Sequence, residues 1–313
     1  MLRMRDAVPS AADDDSSVTY VTESPASSHV NVPLRGAVPP LDTPTGVAGG
    51  VRYWRYHTGG AGPRRDPVVL LHGLGGDHLG LRDLGRALPG VDVVELDLPG
   101  FGQSEPLPGE HTVINYARLV EGLRVRLGLG LINLVGHSLG ADIALVYAGL
   151  YPGRITALTL LNPVIDGTGP AAWLARAYHR IGTWLPAPLA RVWLLSRLAI
   201  YLGDTFVLTT KDRTIRKRIL NEDYRTATAT LPRAISEVYL SLAKTPFHEL
   251  ARQIVAPTLL VTGSRDSLAG PRTLQALHAS IARTQEIVIN GAGHLWAVEE
   301  PAEAAEVVTR NLR

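Results

Sequence analysis

Short apolar runs recur along this chain with helical stretches between them, and that alternation restricts the fold more than any other feature. The runs are Val68–Leu71, Val91–Leu96, Leu131–Val135, Thr156–Leu161, Thr258–Thr262 and Glu286–Ile289, each ending near Gly, Asn, Asp or Ser. Runs this short, bounded by turn residues, suit strands buried on both faces rather than helices. Leu79–Leu88 and Ile114–Leu127 carry helical spacing. Buried strands alternating with helices specify an α/β fold, a mostly parallel sheet with helices on both faces. Val51–His57, which alternates with aromatics, adds a strand ahead of these runs.

The alternation stops between residues 165 and 252, a stretch that holds Trp173, Trp184 and Trp193, the Pro186/Pro188 pair and the basic cluster Arg213–Arg218. It reads as several helices without a strand. Inserted between two strands of a parallel sheet, such a stretch would lie over the carboxyl edge, where open α/β sheets bind ligands. A helical cap or lid is therefore expected over 165–252, on a core formed by 46–164 and 253–313. Residues 1–45 are rich in Pro, Ser, Ala, Thr and Asp without sustained periodicity. They are expected to form a disordered or loosely attached arm, with His29–Leu34 as a candidate edge strand.

Within the insertion, Trp173, Leu174, Tyr178, Ile181, Trp184 and Leu185 fall at helical spacing, with Arg176 and Arg180 nearby. This stripe is expected to pack on the core beneath. The alternative is an apolar acyl channel or a face touching lipid, the one membrane contact the sequence offers. Arg213–Arg218 is expected to be a solvated helix face.

Composition narrows the function classes. A chain of 313 residues, 45% hydrophobic, supports one substantial core with room for an insertion. With 31 basic and 29 acidic side chains the formal charge is +2, which gives no electrostatic reason to expect nucleic acid. There is no cysteine, which excludes disulfides, thiolate catalysis and cysteine-ligated zinc. No secretory-type apolar stretch follows the first basic residues, and no run reaches the ~18 apolar residues of a membrane span. A soluble cytoplasmic protein is expected.

The chemistry concentrates in Gly136-His137-Ser138-Leu139-Gly140, which follows the apolar run Leu131–Val135 and precedes the helical segment Ala141–Leu150. A serine on a sharp strand-to-helix turn is held in a strained backbone conformation, and side chains two residues to either side would clash. Gly136 and Gly140 relieve the clash, so Ser138 is the expected nucleophile. A second glycine-rich turn, His72-Gly73-Leu74-Gly75-Gly76, follows Val68–Leu71. The backbone N–H groups of Leu74 and Leu139 are expected to form an oxyanion hole. Gly73 supports the turn, His72 is expected to order it by hydrogen bonding, and His78 is expected to be solvated.

His294 lies in Gly291-Ala292-Gly293-His294 just after Glu286–Ile289, last in the order Ser, Asp, His, and is the expected general base. Asp266, after Thr258–Leu260, is the expected acid that fixes the imidazole tautomer. Asp166 is the competing acid.

With these residues in place, the chain resembles the α/β-hydrolase family over residues 50 to 313. The resemblance rests on His72–Gly76, Asp97-Leu98-Pro99-Gly100-Phe101-Gly102-Gln103-Ser104, Gly136–Gly140, Gly263–Asp266 and Gly293-His294. It implies a mainly parallel, eight-stranded sheet and a helical cap. It also implies that Asp97–Ser104 is a turn lining the site, whose charged residues look structural. Ala141 departs from the family, many of whose members carry a glycine there. Relatives that open epoxides or displace halide use aspartate as nucleophile, so Ser138 favours acyl transfer. The expected function is hydrolysis of a small apolar carboxylic ester through an acyl-enzyme, with no metal or organic cofactor. The alternatives are cleavage of a C–C bond, thioester or lactone by the same triad, or a non-catalytic ligand-binding relative.

Overall fold

The computed structural model describes residues 18–21, 44–59, 65–165, 170–268 and 271–313. Strands β1 (Val18–Val21), β2 (Gly46–Ala48) and β3 (Val51–His57) come first, followed by β4 (Val68–Leu71) and helix α1 (Arg82–Ala87). β5 (Asp92–Leu96), α2 (Val113–Arg126), β6 (Ile132–His137), α3 (Leu139–Leu150) and β7 (Ile155–Leu161) continue the alternation. Six helices then intervene: α4 (Pro170–Trp184), α5 (Ala187–Leu195), α6 (Arg197–Val207), α7 (Arg213–Ala229), α8 (Pro232–Leu242) and α9 (Phe247–Ala251). The chain closes with β8 (Thr258–Gly263), α10 (Pro271–Ser280), β9 (Thr284–Ile289), α11 (Trp296–Glu299) and α12 (Pro301–Thr309).

Among the described residues the strands form one sheet in the order β1-β9-β8-β7-β6-β4-β5-β3-β2. Its pairs are parallel except β2–β3 and β3–β5. Eight strands lie between Gly46 and Ile289, as the family resemblance implied, and β1 adds a ninth at the β9 edge. That strand is a departure, because it falls inside the segment expected to be loose. Val18 pairs with Glu286 and Val21 with Ile289, so the main-chain groups on the open side of β9 find partners. The candidate strand His29–Leu34 lies outside the described residues.

Alternate residues of each central strand feed opposite cores. Val69 and Leu71 join the α2–α3 side, whereas Val68 and Leu70 join the side closed by α1 and α12. Burial on both faces explains why β4, β6 and β8 are continuous buried runs. β4 sits between β5 and β6, so the strand order reverses there and a crevice opens at the carboxyl ends of β4 and β6.

Helices α4–α8 pack mainly on one another, α4 and α5 on α8, and α6 on α7, whereas α9 packs on α3 and α10. Polar links tie them to the sheet-bearing body. Arg225 donates to Asp77 at 2.8 Å and Arg218 to Asp83 at 2.9 Å. Glu299 accepts the N–H groups of Thr209 and Thr210. The basic cluster at the start of α7 is therefore only partly a solvated face, since Arg218 also donates to the Val298 carbonyl. No described helix is long and apolar enough to cross a membrane.

Candidate active site

β6 runs straight into α3 with one residue between them, Ser138, at φ 54° and ψ −124°. This is the left-handed side of backbone space, costly for any residue with a Cβ. The tight bend also brings main chain against main chain. A Cβ on Gly136 would collide with the Gly140 carbonyl, and one on Gly140 with the Leu71 carbonyl of β4. Glycine at both positions lets β4, β6 and α3 close around the serine.

Ser138 Oγ lies 2.8 Å from His294 Nε2, and His294 Nδ1 lies 2.9 Å from Asp266 Oδ2. The three side chains come from the ends of β6, β9 and β8, neighbours or near neighbours in the sheet. With Nδ1–H donating to the carboxylate, Nε2 is left to accept from the hydroxyl. Burial would raise the Asp266 carboxyl, but hydrogen bonds from His294, Asn162 Nδ2 (2.7 Å) and the Leu268 N–H (2.8 Å) outweigh it and hold the group below the usual carboxylate range. The competing Asp166 lies outside the described residues.

The turn after β4 faces the serine. A Cβ on Gly73 would come within 3.2 Å of Ser138 Cβ, which shows how closely this backbone approaches. Leu74 and Leu139 both line the cavity at Ser138. Among the described residues neither of their N–H groups donates to another backbone carbonyl. His72 is buried, accepts the Leu98 N–H at Nε2 (3.0 Å) and donates from Nδ1 to the Gly73 carbonyl (2.8 Å). Thr226 on α7 donates its hydroxyl to the Gly75 carbonyl at 2.8 Å, pinning the turn from above.

Three features escaped the sequence. His137, beside the serine, donates from Nε2 to the His294 carbonyl at 2.9 Å. Burial and the neighbouring His294 push its imidazole down to about 4. Asn162, at φ 49° just past β7, supplies a donor to Asp266, and its only sequence signal is an Asn-Pro pair at a strand end. His78 is buried rather than solvated. Its ring stacks on Trp54 at 3.3 Å between centroids, and its Nδ1 bonds Asp97 Oδ1 at 2.8 Å.

Asp77, His78 and Asp97 cluster closely enough to suggest a metal site. Their acceptors are engaged within the protein. Asp97 takes the N–H groups of His78 and Gln103, and Asp77 takes that of Leu79 and the Arg225 guanidinium. Ser104 donates to the Asp97 carbonyl, so the Asp97–Ser104 turn is a structural latch beside the site.

Above Ser138 a cavity of about 1380 Å³ extends under α4–α8. Its walls are mainly apolar, including Leu189, Leu194, Ile219, Ile235 and Leu242. The stripe on α4 divides. Tyr178 and Leu185 line the cavity, while Trp173, Ile181 and Trp184 point outward, so the stripe does not pack as a unit on the core beneath.

A family model described as the alpha/beta hydrolase fold matches residues 66–301. The chain belongs to the α/β-hydrolase fold family. Among curated relatives of this hydrolase is a 2-hydroxy-6-oxononadienedioate/2-hydroxy-6-oxononatrienedioate hydrolase of Cupriavidus pinatubonensis, 25% identical over 274 residues, covering 82% of this chain and 90% of that one. Lipase 1 of Psychrobacter immobilis is 25% identical over 244 residues, covering 77% of this chain and 75% of the lipase. Among solved structures, a thermophilic esterase from Thermogutta terrifontis superimposes with a TM-score of 0.68 at 25% identity, covering 86% of this hydrolase and 95% of the esterase.

Proposed function

We propose that this hydrolase cleaves a neutral, apolar carboxylic ester through an acyl-enzyme on Ser138. The observation that carries the reading is the 2.8 Å approach of Ser138 Oγ to His294 Nε2, with Asp266 on the far nitrogen. In the first step Oγ attacks the acyl carbon as His294 takes its proton. The oxyanion settles between the N–H groups of Leu74 and Leu139. The imidazolium, steadied by Asp266, then protonates the departing alcohol. Water, activated by the same imidazole, releases the acid and restores the hydroxyl. Helices α4–α8 act as a cap whose apolar underside receives the acyl chain.

Cavity chemistry favours this substrate over that in the name of the C. pinatubonensis relative. A dienedioate carries two carboxylates and calls for cationic partners. Among the described lining residues there is no lysine or arginine, whereas Asp77, Asp142, Asp204, Glu222 and Asp223 are present.

The test is hydrolysis of a p-nitrophenyl ester series by the wild-type and Ser138→Ala proteins, alongside labelling by a fluorophosphonate. Loss of both turnover and label in Ser138→Ala is expected. Turnover undiminished in Ser138→Ala would refute the reading.

A further inference from the structure

Ten of the sixteen large apolar side chains left exposed among the described residues fall between Trp173 and Leu202. They sit on α4, α5 and α6, which pack in succession. Trp173 and Trp184 are 63% and 77% exposed. Eleven residues apart, they stand on one edge of α4, about three turns from each other, with Ile181 beside them. A monomer rarely leaves so many large apolar groups together in water.

Charge accompanies the patch. From Gly167 to Gly203 the sequence has no Asp or Glu and four arginines, Arg176, Arg180, Arg191 and Arg197. At 100° per residue, Arg176 and Arg180 fall along the flank of the Trp173–Trp184 edge. Arg191 and Arg197 stay on the same helices, the first bonded to carbonyls at the end of α7 and the second over the Tyr224 ring. Between Trp173 and Leu202 every charged side chain is an arginine, with Asp204 following on α6, and such a face matches a surface that is oily within and anionic at its rim.

The patch is also the rim of the cavity. Leu174, Leu189, Val192, Trp193, Leu198 and Leu202 are exposed to solvent and line the space that reaches Ser138. A chain leaving a membrane at this face would meet a mainly apolar wall on its way inward.

We propose that the α4–α6 face docks on a phospholipid bilayer carrying anionic headgroups. Docking itself is independent of the Ser138 chemistry. Only its corollary, that an acyl lipid passes from the bilayer to Ser138, rests on the ester reading above.

The experiment is co-sedimentation of the full-length protein with phosphatidylcholine vesicles, with and without phosphatidylglycerol, followed by tryptophan fluorescence. The Ser138→Ala protein is run in parallel so that lipid cleavage cannot interfere. Trp54 and Trp296 are buried, so a blue shift on adding vesicles reports Trp173, Trp184 and Trp193. Anionic vesicles should bind at least about tenfold tighter than zwitterionic ones, and added salt should weaken the binding. The double substitution Trp173→Ser, Trp184→Ser should lose about tenfold or more in vesicle affinity, while turnover of a soluble short ester stays unchanged. Neither tryptophan lines the cavity.

Absence of binding to anionic vesicles would overturn the proposal, as would undiminished binding by the double variant. A dimer that forms through this face and dissociates in the double variant, without vesicle binding, would overturn it in favour of self-association. Vesicle binding without ester turnover would instead leave docking standing and remove the ester reading.

Discussion

His137 Nε2 donates to the carbonyl of His294 across 2.9 Å, joining the residue beside the serine to the loop that carries the imidazole, 157 positions later. The Ser138–His294 distance is thereby fixed from two sides, through the hydroxyl and through the backbone. Acceptance by the His294 carbonyl fixes the His137 tautomer with its proton on Nε2, and burial pushes the imidazole down to about 4.

Replacing His137 with Leu removes that tie without altering any reacting group. The His294 loop then loses one of its restraints, and a misplacement of about 1 Å costs on the order of a hundredfold in rate. We expect kcat for a short ester to fall by ~10–100-fold with little change in KM, since His137 positions rather than reacts. Fluorophosphonate labelling should slow by the same factor. Slow turnover with full-speed labelling would place the role of His137 elsewhere.

Asp266→Asn tests the acid. The amide keeps the shape but cannot fix the tautomer that leaves Nε2 free to accept, and a loss of ~10⁴-fold in kcat is the scale for such a change. Asp166→Asn is the control and should retain activity within a few fold. Steady-state kinetics on the two variants decide between the carboxylates, and a larger loss in Asp166→Asn would reassign the role.

The parts that sequence disclosed share a physical origin. Strands such as Val68–Leu71 and Thr258–Gly263 are buried on both faces, and that demand is written in every residue. Ser138 is legible because its bend forbids a Cβ at Gly136 and Gly140. Strands β1 and β2 hide because edge pairing is made by main chain and leaves little imprint on side chains. Asn162 and His137 act on partners 104 and 157 positions away, a separation at which local pattern is silent. The α4 stripe shows the limit of periodicity. It identifies an apolar face but not which side the body lies on, and Trp184 faces water.

Stability should respond to pH through His179. This residue on α4 is buried, its ring stacks on Tyr239 at 4.1 Å, and burial pushes its imidazole down to about 4. An unfolded histidine takes up a proton near pH 6.5, the folded one only near 4. As pH falls through that window the unfolded chain binds more protons, so His179 costs the fold stability on acidification, on the order of 3 kcal/mol at most. The carboxyls Asp204 and Asp223, which line the same cavity and are raised by burial, act in the opposite direction and lose stability as pH rises. The informative quantity is therefore the difference between wild type and His179→Phe. Urea titrations at pH 7 and pH 5 should show the variant losing less stability than wild type on acidification. Equal losses would exclude His179 as a contributor.

Strain at Ser138 makes the final prediction. Its φ of 54° and ψ of −124° are maintained by the closed packing of β4, β6 and α3 around it. A side chain held in such a region costs about 1–3 kcal/mol. Alanine keeps the Cβ and with it the strain. Glycine removes the Cβ, which frees the bend but also gives the unfolded chain more freedom, an offset of roughly 0.4–1 kcal/mol. Ser138→Gly should therefore be more stable than Ser138→Ala by about 1 kcal/mol, although both are inactive. Chemical denaturation of the two proteins side by side measures this difference without any substrate. If Ser138→Ala is the more stable, the bend is relaxed, and the pressure for glycine at positions 136 and 140 comes from main-chain crowding alone.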